Sequence, residues 1–144
     1  MMHIFTIGYE GVTQPSLIEA LRSARVTILA DVRAVPISRR PGFSKNVLAA
    51  GLREAGMDYI GLKALGTPPA GREAARKHDR VRLAEVYAGQ LEQPEALAQM
   101  ARLRSLATER PTALLCFERE PAACHRSLLA EAALPDAEVT HLFA

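Results

Sequence analysis

Tryptophan is absent from the 144 residues, and 3 Tyr and 4 Phe supply all the aromatic surface. Single-strand nucleic-acid binders stack bases on aromatic platforms. With so few here, any nucleic-acid contact is expected to be weak and indifferent to sequence. Cysteine is limited to Cys116 and Cys124, too few for a disulfide framework and in keeping with a reducing compartment. No apolar run approaches the roughly 18 residues of a membrane span. The opening residues carry neither the charged n-region nor the cleavage pattern of a secretory leader. A cytoplasmic protein with no membrane partner is expected. The signatures G-x-x-x-x-G-K-[ST], G-x-G-x-x-G and G-x-S-x-G are all missing, which removes the P-loop, dinucleotide-fingerprint and nucleophile-elbow readings.

What is present is ordinary globular composition, 49% hydrophobic and 24% charged. A chain of this length buries about two-thirds of its unfolded surface and needs no staple, so residues 1–144 are read as a single α/β domain. The net charge of +2 hides an asymmetry: residues 33–82 carry +7 and the remainder −5. Of the 18 basic residues 15 are Arg, whose planar fork suits phosphate and carboxylate.

His3 to Ile7 is a buried strand ending at Gly8. Thr13 and Pro15 open a helix with Leu17, Ile18 and Leu21 on one face. Val26 to Ala30 is a second apolar run without alternation, as in a strand covered on both faces. Together they predict a βαβ unit at the N-terminus of a three-layer fold, a mostly parallel sheet with helices on both faces. Residues 34–45 read as a loop, Lys45 to Ala55 as a helix stopped by Gly56, and Met57 to Ile60 as a short strand. Leu65 to Gly71 is a turn-rich connector, and 72–91 one basic helix. A further helix runs from Pro94 to about Glu109. Thr112 to Phe117 is a third buried strand. Pro121 starts a last helix carrying Cys124, Leu128 and Ala132, and the alternation of 138–143 suits an edge strand.

Ligands of open parallel sheets bind beyond the carboxyl ends of the strands. Those ends carry Gly8, Tyr9 and Glu10, then Asp31 and Arg33, then Cys116, Glu118 and Arg119, with Cys124, His125 and Arg126 after them. Cys124 in the first turn of a helix beside His125 and Arg126 is a candidate thiolate, and His125 and Glu118 are candidate acid–base groups. The side chains of Asp31, Arg33, Glu118 and Arg126 are expected in one cluster. A phosphatase-type loop would need Arg six positions after Cys116, but Ala122 stands there. Cys116, Cys124 and His125 are one donor short of a structural zinc site and are spread along the chain. No metal and no cofactor is therefore expected.

These residues resemble the domain of unknown function 488 family. The likeness rests on Thr6-Ile7-Gly8-Tyr9, on Asp31-Val32-Arg33 with Pro36 and Ser38, on Leu65-Gly66, and on Leu114 to Glu118 followed by Cys124-His125-Arg126. It runs from residue 4 to about 130. The resemblance implies an α/β domain and brings no assigned activity. Two positions depart from the family pattern: Glu10 stands where many members have Ser or Thr, and Glu120 where Asp is usual. The leading expectation is a strand-end pocket for an anionic ligand of phosphate, nucleotide or nucleic-acid type. Arg33, Arg39 and Arg126 would hold the anion, with Gly8, Tyr9, Asp31, Ser38 and Cys116 around it. The alternatives are a Cys-dependent enzyme with Cys124 as thiolate nucleophile, and a non-catalytic interaction module with a structural ion-pair network. Whether the chain is an enzyme, and its oligomeric state, are left open by the residues.

Overall fold

Strand propensity concentrates in short apolar runs, and the computed structural model, which describes residues 2–144, assembles five of them into one parallel sheet. The strands are β1 (His3–Gly8), β2 (Ile28–Asp31), β3 (Asp58–Gly61), β4 (Thr112–Cys116) and β5 (Glu138–Leu142), in the order β3-β2-β4-β1-β5. The helices are α1 (Gln14–Ser23), α2 (Lys45–Glu54), α3 (Pro69–Arg76), α4 (Arg80–Leu91), α5 (Pro94–Glu109) and α6 (Arg126–Ala133).

Side chains alternate across a strand, so each strand feeds two cores. Ile4, Ala30 and Leu114 face one side, beneath Leu91 of α4, Leu103 of α5 and Leu129 of α6. Ile7, Leu29, Ala113 and Leu115 face the other, beneath Leu17 and Leu21 of α1 and Leu48 and Leu52 of α2. This is the expected three-layer α/β arrangement. No helix among the described residues is long and apolar enough to cross a membrane.

The local signals set most boundaries. Thr13 caps α1 by accepting from the Ser16 amide at 3.3 Å, a bond that satisfies one orphan donor of the first turn. Gly56 ends α2 at φ +80, where L side chains are strained. The N-terminal βαβ unit forms as expected, with β4 lying between its two strands. Two expectations are corrected. The single helix expected over 72–91 is two, broken where His78 takes φ +57 and Asp79 caps α4 through the Arg82 amide at 3.0 Å. The last helix begins at Arg126, since Pro121 opens only a 3-10 turn (Pro121–Ala123) and Cys124 is extended. Its buried face is therefore Arg126, Leu129, Ala130 and Ala133 rather than Cys124, Leu128 and Ala132.

The connections locate the site. β1 leads into α1 on one face of the sheet, and β4 leads into α6 on the other. A crevice opens where neighbouring strands send their connections to opposite faces. Here that place is the carboxyl end of β4 with its two neighbours β1 and β2, both of which feed helices on the face opposite α6.

Candidate functional site

Beyond their last strand residues β1 and β4 keep running together. The Tyr9 amide donates to the Cys116 carbonyl at 3.3 Å and the Glu10 amide to Phe117 at 2.9 Å. Gly8 makes this approach feasible, because a Cβ there would overlap the backbone carbonyl of Glu118. Gly8 thus serves the close approach of the protein's own backbone. Glu10 accepts from the Arg119 amide at 3.0 Å.

Two buried groups flank the crevice. In the first, the Asp31 carboxylate takes Arg33 in a fork, Nε to Oδ1 at 2.8 Å and Nη2 to Oδ2 at 2.7 Å. The Tyr59 hydroxyl donates to Oδ2 at 2.5 Å, and Arg33 Nη1 donates to the Phe43 carbonyl at 2.7 Å. Burial works against the Arg33 charge, but the fork to Asp31 holds its pKa above the ordinary value. Burial, seconded by Asp31, pushes the Tyr59 phenol up. Arg33 also lies 5.2 Å over the Tyr9 ring, which stacks on Phe43 at 4.7 Å. With its charge matched and its lone pairs engaged, Asp31 is placed as a structural partner rather than an acid or base.

The second group centres on Arg126, which is 0% exposed. Its Nη1 donates to the Glu118 carbonyl at 2.5 Å and Nη2 to the Arg119 carbonyl at 3.0 Å, while Nε has no partner among the described residues. No carboxylate among the described residues comes within salt-bridge distance of it. Its remaining neighbour is Cys116 Sγ, 3.3 Å from Nη1. Burial pulls the Arg126 pKa down to about 10 despite the field of Glu118 and Glu120. Arg126 is the clamp of the loop after β4, not an exposed anion holder.

The two cysteines, read separately in the sequence, meet. Their sulfurs are joined as a pair, with Cα atoms 7.2 Å apart. His125 donates from Nε2 to the Val32 carbonyl at 2.7 Å, and its Nδ1 lies 3.7 Å from Cys124 Sγ. Burial pulls this imidazole down to about 4, so it is neutral at pH 7 with its lone pair on Nδ1. Glu118, pushed up by burial, sets Oε2 3.8 Å from Cys116 Sγ.

A cleft of about 260 Å³ opens over these groups. Arg33, Cys116, Glu118 and His125 line its floor, with Tyr9 and Phe117 beside them. Cys124, the candidate thiolate of the alternative reading, is not among the lining residues; Cys116 is. Asp31 and Arg126 stand behind the lining, and the four residues expected in one cluster fall into two groups, Asp31 with Arg33 and Arg126 with the Glu118 carbonyl. Ser38 and Arg39 lie outside. Ser38 staples its own loop to Ser44 and the Arg40 amide, and Arg39 is exposed. Thr67 and Arg72, which no sequence motif marks as site residues, enter from the connector before α3 and from its first turn. The available signal was Gly66, whose Cβ would overlap the Ala34 backbone, bringing that connector onto the loop after β2.

The chain belongs to the family described as Domain of unknown function DUF488, which matches over residues 14–133. No curated protein and no solved structure matches it.

Proposed function

We propose that the strand-end cleft binds a small ligand carrying an anionic group together with an apolar face. The observation that carries this reading is Arg72. Its guanidinium lines the cleft, donates to the Thr67 carbonyl at 3.0 Å, and has no carboxylate partner among the described residues. Val35, Ile37 and Phe117 give the same cleft exposed apolar side chains. The Arg33 charge is matched by Asp31, which leaves Arg72 as the attractive charge of the site. A volume of about 260 Å³ falls at the small end of ligand sites and suits a phosphate or nucleoside monophosphate better than a nucleic-acid duplex. The basic stretch also offers little continuous surface, since Lys77 and Arg82 pair with Glu73 and Glu85 and Arg40 reaches the Val12 carbonyl.

Arg72→Ala is expected to weaken binding of a nucleoside monophosphate by roughly 10- to 100-fold, the loss of one charge-assisted hydrogen bond at about 1.5–3 kcal/mol. Calorimetric titration of both proteins measures it. Equal affinities, or no binding by the wild type, would sink the reading.

A second reading, Cys-dependent catalysis, is favoured by the Arg126–Cys116 contact at 3.3 Å. An adjacent cation favours thiolate over thiol, so the nucleophile moves from Cys124 to Cys116. In reduced, chelated protein, iodoacetamide should label Cys116 about 10-fold faster than Cys124, the gain from one unit of thiol activation. Mass spectrometry reads the order, and faster labelling of Cys124 would overturn it.

A further inference from the structure

The donor set that the sequence scatters is gathered by the fold. Cys116 Sγ, Cys124 Sγ and a ring nitrogen of His125 lie within 4.8 Å of one another, and all three residues are buried. Zinc takes thiolate sulfur at about 2.3 Å in tetrahedral geometry, which separates two sulfurs by roughly 3.8 Å. The Cα separation of 7.2 Å exceeds the range of about 4.4–6.8 Å that disulfides usually span, and gives room for a bridging ion.

Two further features belong to metal sites. A ligating His generally donates its other N–H to a carbonyl or carboxylate, which fixes the ring and its lone pair. Here Nε2 donates to the Val32 carbonyl, leaving Nδ1 on the cysteine side. The second feature is a buried cation at the sulfur. Arg126 is fully buried with no carboxylate among the described residues in salt-bridge range, and its Nη1 lies 3.3 Å from Cys116 Sγ, where it favours the thiolate that a metal requires.

We propose that in its dithiol state the chain binds one zinc-type divalent ion through Cys116 Sγ, Cys124 Sγ and His125 Nδ1, with the fourth position open to the cleft. Sulfur and imidazole donors select zinc over magnesium or calcium, and two cysteines are too few for a four-thiolate iron–sulfur cluster. Three protein ligands with one exchangeable position is the composition of catalytic rather than structural zinc sites. Cys116, His125 and Glu118 all line the cleft, which puts that position where a ligand would enter. Loading starts from the two thiols. Two S–H protons leave as two sulfur–metal bonds form, and no electron is transferred. From the disulfide, an external phosphine must first supply two electrons while water supplies the two protons. The inference rests on donor geometry and is independent of the anion reading.

The test is titration of phosphine-reduced, chelator-stripped protein with Co2+. The expected result is one ion per chain, with a sulfur-to-metal charge-transfer band and the intense visible bands of tetrahedral cobalt, both abolished by Zn2+. Cys116→Ser and Cys124→Ser should lose most of the sulfur band. His125→Gln should weaken binding by at least the roughly 10- to 100-fold that even outer-shell partners contribute. Arg72→Ala should bind Co2+ as the wild type does, which separates this outcome from failure of the anion reading. If the cysteine variants do not fold, protection of the wild-type thiols from alkylation by one equivalent of Zn2+, reversed by chelator, decides the matter. Octahedral cobalt without a sulfur band, an unchanged band in folded Cys124→Ser, or thiols left unprotected would each overturn the site.

Discussion

Asp31→Ala is expected to lower the unfolding free energy by about 3–5 kcal/mol, the cost of stranding one member of a buried ion pair. Arg33 is 6% exposed and Asp31 1%, so water cannot replace the lost carboxylate. The substitution removes both arms of the fork and the acceptor of the Tyr59 hydroxyl. Urea unfolding followed by circular dichroism measures the change. The double variant Asp31→Ala/Arg33→Met should recover a large part of it, because exchanging a whole buried pair for apolar side chains is often near neutral. A loss below about 1 kcal/mol, typical of exposed pairs, would show that water reaches the pair and that it is not the buried wall of the cleft.

Gly8→Ala is expected to cost about 3 kcal/mol or more, the upper end of overpacking penalties. The added methyl meets the Glu118 backbone carbonyl, and Arg126 Nη1 lies 3.0 Å from the same point. Neither can yield cheaply. The carbonyl follows directly on β4, and the guanidinium is held by two backbone oxygens. Gly11→Ala is the control. Gly11 has φ +71 with nothing within 4 Å, so only the left-handed backbone cost of about 1–2 kcal/mol applies. Equal destabilisation of the two variants would mean that β1 and the loop after β4 separate easily and that the crevice is soft.

The layers of the fold were legible because β1, β2 and β4 are short, mostly apolar runs, α1 and α5 carry a cap or a proline at their starts, and α2 shows the Leu48–Leu52 spacing with Gly56 as its stop. Strand order was not legible. Ile28–Asp31 and Thr112–Cys116 read alike locally, and nothing in either run says which one sits beside β1. The break at His78 was hidden because neither glycine nor proline marks it; the Asp79 cap is its only trace. In the site, ionisable residues at the ends of apolar runs correctly pointed to one end of the sheet. Which charges cancel depends on side-chain reach, so the pairing of Arg33 with Asp31 and the burial of Arg126 could not be read. Cys124 was misplaced because Pro121 can begin a 3-10 turn as readily as a helix. Arg72 was missed because α3 arrives from a connector with no pattern tying it to β1 or β4.

The central place of β4 has a consequence for how the chain is made. Until residues 112–116 leave the ribosome, β1 and β2 have no shared partner, since each pairs with β4 and neither with the other. A nascent chain that has emerged only as far as residue 110 therefore holds a two-stranded β2–β3 fragment with an unpaired edge, and a separate β1 whose neighbours on both sides come later in the sequence. Pairings this distant in sequence slow folding and prolong exposure of strand edges. Because β4 also carries Cys116, the thiol reaches its place only in the step that closes the sheet.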